Sequence, residues 1–213
     1  MSATAEVQSG LEGVVAFATE IAEPDRAGGA LRYRGVDIEE LVGNVPFEQV
    51  WGLLVDGHLL PGMPPAEPPP LSVRSGDPRV DVQSALAMLA PQWGFGQLID
   101  ISDEEARDNL ARASVMALSF VAQSARGIGR PPVSQREIDK ATSIPERFLI
   151  RWRGEANPQH VKAIDAYWNS AAEHGKNAST SSVAVRSPDR MSEANSVAER
   201  NIRSFTRPHS LPR

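Results

Sequence analysis

Apolar residues recur at intervals of three and four residues in three long segments of this chain, and no strand-like alternation follows residue 40. Such spacing places the apolar side chains on one face of an α-helix. The segments are 47–56, 103–125 and 158–173. Each begins at a residue type that favours helix starts: Pro46, the Ser102–Glu105 capping box and Asn157-Pro158. The sequence therefore predicts an all-α, mainly helical architecture.

The first forty residues differ from the rest. Residues 1–10 are expected to be a flexible start. Short apolar pieces follow at 11–17 and 31–33, separated by Glu23-Pro24-Asp25 and by Gly28-Gly29. Proline and glycine interrupt regular structure, so the pattern predicts two short strands joined by a turn, a β-hairpin-like segment.

Shorter helical signals occupy the remaining segments. Asp37 with Glu40 predicts a capped short helix. An apolar stripe predicts a helix that ends at Pro91, and a second capping box at Ser134 predicts a helix that Pro145 interrupts. The apolar positions assigned to the longest helix are Leu110, Ala113, Leu118 and Val121. Gly57 and Gly127 are expected to end their helices.

A proline-rich segment separates the first two long helical signals. Residues 61–70 read PGMPPAEPPP and contain six prolines, which excludes a regular helix or a central strand. We expect a stiff external loop in polyproline conformation. A second interpretation, a ligand for an aromatic-lined groove of another protein, fits the same composition.

Composition excludes several classes of site. The chain has no cysteine, which excludes disulfides, thiolate metal sites and a cysteine nucleophile. Its four histidines are too far apart for a metal-binding spacing. The start resembles no signal peptide, and no apolar run is long enough to span a membrane. We therefore expect a cytoplasmic protein that has no metal, no cofactor and no membrane contact.

Residues 181–213 differ in charge from the rest of the chain. They carry six arginines and no lysine against three acids, a balance of +3, whereas the whole chain carries −5. They also contain seven serines and three prolines and lack helical periodicity. We expect a disordered tail. Its lack of aromatic residues interleaved with the arginines argues against a nucleic-acid partner.

The strongest chemical signal lies where the last long helix ends. His174 is followed by Asn177 and Ser179 within a run of small and polar residues. A histidine there favourably complements the helix dipole without any further role. The same cluster of imidazole, amide and hydroxyl groups is also suited to hold an anionic substrate with a carbonyl group. The spacing alone leaves both interpretations open.

Several segments, in the same order, resemble a known family. His174-Gly-Lys-Asn177-Ala-Ser179-Thr180 resembles the H-x-x-N-A-S-T motif of bacterial citrate synthases. Tyr33-Arg34-Gly35, the helix after Phe47, and Arg151 through Tyr167 are similar to earlier segments of that family. The resemblance covers about residues 10–180 and is closest to short actinobacterial citrate synthases, and the nineteen arginines against three lysines fit a GC-rich genome.

The resemblance implies a fold, a reaction and a binding site. Citrate synthases are all-helical homodimers that join acetyl-CoA to oxaloacetate and release citrate and CoA in the tricarboxylic acid cycle. Residues 11–180 would then be the N-terminal portion of the large domain. By the same match His174 and Asn177 would bind oxaloacetate, and Ser179 would orient a catalytic histidine.

The family's other catalytic motifs are absent from this sequence. No G-P-L-H-G-G segment, no second histidine signature and no later aspartate base follow Thr180. The sequence therefore predicts a citrate synthase family member that is truncated and inactive alone, with a tail encoded by a shifted reading frame. The alternatives are a non-catalytic helical module that associates with a full-length synthase, and a fragment of a 2-methylcitrate synthase. For the tail, the alternative is a genuine anion-binding or ordinary disordered terminus.

Overall fold

The computed structural model describes residues 19–24, 30–68, 71 and 73–173. Within them the chain forms three strands, namely β1 (Ala22–Pro24), β2 (Leu31–Tyr33) and β3 (Val36–Asp37). The helices that follow are α1 (Ile38–Leu41), α2 (Phe47–Asp56), α3 (Pro78–Trp93), α4 (Asp103–Ala125), α5 (Gln135–Ile138), α6 (Ile144–Arg153) and α7 (Pro158–Ser170). These elements all belong to one compact unit, Ile21–His174. The mainly helical fold class is confirmed.

The sheet is antiparallel with the order β1-β2-β3. The prediction that Glu23-Pro24-Asp25 interrupts the strands is wrong, because Glu23 pairs with Arg32 and Pro24 with Leu31. Among the described residues β1 is an edge strand and Pro24 is its last residue, and edge strands are where sheets tolerate proline. The predicted strand at 11–17 and the flexible start at 1–10 lie outside the described residues.

The proline-rich segment has no helix or strand over residues 61–68, as predicted. It is not an external loop along its whole length, however. Gly62 is buried and Met63 is only 6% exposed, and the Met63 N–H donates to the Glu48 carbonyl oxygen of α2 over 2.9 Å. A Cβ on Gly52 would lie 2.9 Å from the Gly62 Cα. The prediction is wrong there because two glycines let the loop pack directly against the helix.

Helices α3 and α4 pack against each other over one part of the core. That part contains Leu71, Ala85, Leu89, Met116 and Phe120. Ser102 caps α4 as predicted, since its side chain accepts the Glu105 N–H over 3.1 Å.

Two of the four apolar positions assigned to α4 are exposed, whereas a third, Leu118, packs against the core. Leu110 and Val121 are 49% and 38% exposed, because the core side of the helix carries Val115, Met116 and Phe120.

Two prolines lie inside helices where the sequence predicted breaks. Pro91 is part of α3, which ends two residues later at Trp93. Pro91 is exposed, so water can reach the carbonyl group left without a partner. Pro145 lies in the first turn of α6, where no N–H is needed, and Ser143 caps that helix. The helix predicted from Ser134 is therefore a single turn, α5, followed by a separate helix.

The predicted bounds of the other helices are close to those observed. Gly57 ends α2 with φ +78°, and Gly127 follows α4 with φ +84°, as expected for helix ends. Pro46 is the N-cap of α2 rather than its first helical residue. Helix α7 ends at Ser170, three residues before the predicted end.

Candidate functional site

The three predicted substrate-binding residues follow α7 closely. His174, Asn177 and Ser179 lie outside the described residues, whose last member is Glu173. Their predicted roles therefore stay predictions. The structure does describe the helix end to which they are joined, because the carbonyl carbon of Glu173 is bonded to the nitrogen of His174.

A buried tyrosine from the sheet holds the last backbone groups before His174. Tyr33 is completely buried, and its hydroxyl oxygen lies 3.3 Å from the Ser170 carbonyl oxygen and 3.4 Å from the Glu173 carbonyl oxygen. The Glu173 N–H donates to the same hydroxyl over 3.3 Å. Burial raises the pKa of Tyr33, so the phenol keeps its proton and remains a donor at neutral pH.

The position of Tyr33 follows from the hairpin that contains it. Tyr33 ends the middle strand and is paired with Ala22 on one side and Val36 on the other. Arg34 and Gly35 form the turn with φ angles of +46° and +82°, as a two-residue hairpin turn of type I′ requires. The Arg34 Nε donates to the Leu54 carbonyl oxygen over 3.0 Å, which anchors the turn to α2.

A second polar contact fixes α7 against α2. The N-cap residue of α2 is Pro46, which has no side-chain acceptor, and the Phe47 N–H donates instead to Asp165 Oδ1 of α7 over 2.9 Å. Asn169, which is fully buried, donates from Nδ2 to the Val45 carbonyl oxygen over 2.8 Å and to Asp165 Oδ2 over 3.3 Å. Asp165 thus caps a helix that lies more than a hundred residues earlier in the sequence.

Two carboxyl groups meet at this contact. Burial raises the pKa of Glu48, and the nearby charge of Asp165 raises it further. Burial also raises the pKa of Asp165, although its hydrogen bond with the Phe47 N–H opposes the change. Glu48 Oε2 and Asn169 Oδ1 are buried without a hydrogen-bond partner. The contact therefore holds acceptor atoms in excess over donors.

Aromatic rings complete the support of α7. The Trp168 ring makes edge-to-face contacts with Phe47 of α2 and Phe148 of α6, with centroid distances of 5.1 Å in both cases. Such pairs add to the free energy gained by burying the rings. Helix α7 is therefore fixed on three sides, by the sheet, by α2 and by α6.

The described residues show a scaffold rather than a reaction centre. A cavity of about 20 Å³ between α4 and α6, lined in part by Val115, Leu118 and Phe148, has room for a single water-sized molecule. No group of three or more histidine, aspartate or glutamate side chains in the described ranges is arranged to hold a metal ion. None of the helices described is long and apolar enough to cross a membrane.

Sequence reasoning missed three residues of this scaffold. The sequence indicates Tyr33 only as part of a family motif and indicates no role for Asp165 or Asn169. One signal was present, because Tyr33 lies in a strand whose neighbours on the same face are apolar, and a buried tyrosine hydroxyl needs a partner. Nothing local in the sequence identifies which groups are the partners.

Comparison of the fold with solved structures identifies the class of protein. Citrate synthase from Thermoplasma acidophilum, solved as a ternary complex with carboxymethyl coenzyme A and oxaloacetate, aligns with a TM-score of 0.60 and 20% identity over 83% of this chain and 50% of that chain. Citrate synthase from Pyrobaculum aerophilum aligns with a TM-score of 0.58 and 24% identity, over 80% of this chain and 48% of the other. At these identities the likeness shows the fold alone, that of the mainly helical citrate synthases.

Sequence comparison then gives the family. The family model described as "Citrate synthase, C-terminal domain" matches residues 10–64 and 71–188. "Putative citrate synthase 2" of Mycobacterium bovis is 67% identical over 172 residues, which are 80% of this chain and 46% of that protein. Citrate synthase of Acidithiobacillus ferridurans is 31% identical over 202 residues, covering 83% of this chain and 50% of the relative. The chain belongs to the citrate synthase family.

This chain spans about half the length of the curated relatives that it matches. The match with the family model continues to residue 188, eight residues beyond Thr180, where the sequence was predicted to leave the family. The assignment of residues 11–180 to the N-terminal portion of the large domain stays a prediction.

Proposed function

We propose that this chain carries part of the oxaloacetate site of a citrate synthase and does not form citrate by itself. The whole enzyme would join acetyl-CoA to oxaloacetate and release citrate and CoA in the tricarboxylic acid cycle. The observation that carries the proposal is that the family match over residues 71–188 includes His174, Asn177 and Ser179. The solved relative with bound oxaloacetate supports the substrate class.

The proposed lack of activity follows from the chemistry of the reaction. Forming citrate requires a carboxylate base that removes a methyl proton from acetyl-CoA and a donor that stabilises the resulting enolate oxygen. The family's motifs for these groups are absent from this sequence. Among the described carboxyl groups, Glu48 and Asp165 have raised pKa values, but neither lines the cavity between α4 and α6. Binding residues alone do not replace a missing catalytic set.

The test is an assay of free CoA release by the purified chain. Wild-type chain and His174→Ala are each incubated with acetyl-CoA and oxaloacetate, and a thiol reagent measures CoA. We expect no oxaloacetate-dependent release from either protein. Release by the wild-type chain that His174→Ala abolishes would contradict the proposed inactivity. A parallel incubation with propionyl-CoA tests the alternative that the chain acts as a 2-methylcitrate synthase.

A second candidate function is association, either with a full-length synthase or with another copy of this chain. The observation that favours it is the exposure of several apolar side chains on α3 and α4, two helices that pack together. Val80 and Met88 on α3 are 45% and 44% exposed, and Leu110 and Val121 on α4 are comparably exposed. We propose that these four side chains contribute to one contiguous apolar patch, because large contiguous apolar patches mark interaction surfaces.

Co-expression with an intact synthase from a related species tests this candidate. We expect the tagged chain to co-purify with the synthase. The double variant Val80→Ser, Leu110→Ser should no longer co-purify with it. Light scattering on the chain alone measures self-association. A monodisperse monomer that also fails to retain the synthase would exclude both forms of association.

A further inference from the structure

We propose that Tyr33 is a positioning residue for oxaloacetate, which holds the peptide group between Glu173 and His174 in place through its hydroxyl. This inference rests on the proposed function, because it takes His174 to be a substrate-binding residue. No role follows for Tyr33 from the match with the family model, which identifies residues and not contacts.

The hydroxyl contacts both polar groups of Glu173. It accepts the Glu173 N–H over 3.3 Å, and two carbonyl oxygens that can accept its single proton, those of Ser170 and Glu173, lie at 3.3 and 3.4 Å. A phenol has one proton and two lone pairs, so it can accept the N–H and donate to a carbonyl at the same time. The contact with the Glu173 nitrogen, together with the donated bond to one of these carbonyl oxygens, restricts the direction in which the chain leaves Glu173.

These contacts are not needed to end the helix. Helix α7 closes by its own backbone, because the Ala171 N–H donates to the Tyr167 carbonyl oxygen over 3.0 Å. Glu173 lies three residues beyond the last helical residue, Ser170. The Tyr33 hydroxyl therefore acts on the segment that leads to His174 as well as on Ser170, the last residue of α7.

Tyr33 is itself held firmly. Its ring lies in a buried cluster with Leu41, Val50 and Leu53, and Ala172 packs against that cluster. Its backbone is paired with strands on both sides. The ring and the hydroxyl consequently have separable effects: phenylalanine would keep the apolar contacts and remove only the hydrogen bonds.

The chain offers a matched control for this substitution. It contains two tyrosines, and the second, Tyr167, is 69% exposed on the same helix whose end Tyr33 holds. Tyr33→Phe and Tyr167→Phe each remove one phenolic oxygen, one buried at the helix end and one in solvent. His174→Ala identifies the ring signal of His174 among the four histidines in the proton NMR spectrum.

The experiment titrates each full-length chain with oxaloacetate and follows the His174 ring signal. We expect wild type and Tyr167→Phe to bind alike and Tyr33→Phe to bind about fivefold more weakly, the effect of losing about one net hydrogen bond. Far-UV circular dichroism must show equal helix content for the two phenylalanine variants. Faster hydrogen exchange of the Glu173 amide in Tyr33→Phe, with the amides inside α7 unchanged, is the readout that a general loss of stability would not produce.

Each outcome separates the two proposals. If wild type binds, His174→Ala does not, and Tyr33→Phe binds like wild type, the positioning role is wrong while the proposed function stands. Equal weakening by Tyr33→Phe and Tyr167→Phe also overturns the positioning role. If wild type shows no binding, the proposed function fails and this inference fails with it.

A second measurement applies if Tyr33→Phe does not fold. Tyr33 is then replaced, in the Tyr167→Phe chain, by difluorotyrosine, whose phenol loses its proton at lower pH. Binding of oxaloacetate should weaken as pH rises in the fluorinated chain and not in the unfluorinated one. Identical pH dependence in the two chains would overturn the proposal.

Discussion

Asp165→Ala removes the cap of α2 without changing any residue of α2. In the native chain the Asp165 carboxylate accepts the Phe47 N–H over 2.9 Å and the Asn169 Nδ2 over 3.3 Å. The N-cap residue Pro46 offers no side-chain replacement. The variant therefore leaves one N–H of the first turn of α2 without its partner.

The expected cost follows from these two contacts. Loss of a helix cap costs about 1 kcal/mol, and the weaker hydrogen bond with Asn169 adds about 0.5 kcal/mol. Asp165→Asn is the matched variant, because its amide oxygen can still accept the Phe47 N–H. Its NH2 group would face Asn169 Nδ2, so only the second contact is lost, at about 0.5 kcal/mol. Asp165→Asn also removes the negative charge of Asp165 beside Glu48, and the loss of this repulsion offsets part of the cost of about 0.5 kcal/mol.

Urea unfolding followed by circular dichroism at 222 nm gives the two free-energy changes. We expect about 1.5 kcal/mol for Asp165→Ala and at most about 0.5 kcal/mol for Asp165→Asn, with unchanged dependence on urea. Lys162→Ala, at an exposed position of the same helix, controls for helix propensity. Equal destabilisation by the alanine and asparagine variants would show that charge, rather than the capping hydrogen bond, links α7 to α2.

Three further predictions concern pH, cooperativity and the tail. The raised pKa of Glu48 means that the folded state binds the Glu48 proton more tightly than the unfolded state does. The protonated carboxyl group therefore contributes fully to stability below the ordinary glutamate pKa, and this contribution is lost as pH rises through the pKa of Glu48 in the folded state. Glu48→Gln should therefore stabilise the chain at neutral pH and flatten the dependence on pH, as thermal unfolding across pH 4–8 would measure; a steeper dependence would contradict this. Because α3 and α4 expose apolar groups, the chain should bind an environment-sensitive dye and unfold over a broad temperature range. A sharp thermal transition without dye binding would contradict this prediction. The coding DNA after the codon of residue 188, where the family match ends, should encode a helix and a G-P-L-H-G-G-like segment when it is read in another frame. No such continuation in either frame would exclude the frameshift.

Helix starts were predictable from the sequence where the signal is local. Ser102 and Glu105 are three residues apart, and the hydrogen bond between them forms whenever that turn forms. Pro91 and Pro145 were misjudged because a proline is compatible with a helix when its position needs no N–H, and that depends on where the helix begins and ends. The strand at Glu23 and Pro24 was missed because its stability comes from pairing with β2, not from its own residues.

The candidate site was predictable only in part, for a similar reason. His174, Asn177 and Ser179 came from a motif of adjacent residues, and a motif can be read from one segment. The residues that support the segment are distant in sequence: Tyr33 precedes Ser170 by 137 positions, and Phe47 precedes Asp165 by 118. No periodicity links such pairs, since the fold alone brings them together.

The distance between Phe47 and Asp165 has a consequence for synthesis on the ribosome. Helix α2 is made early, but its cap is supplied by a residue 118 positions later. At about 5–20 residues per second, the nascent chain spends roughly 6–24 seconds with the first turn of α2 uncapped. Contacts of such long sequence separation also slow folding, because a large loop must close first. A nascent chain stalled before α7 should thus expose the start of α2, and a chaperone that binds extended apolar segments would find Phe47 accessible until Asp165 emerges.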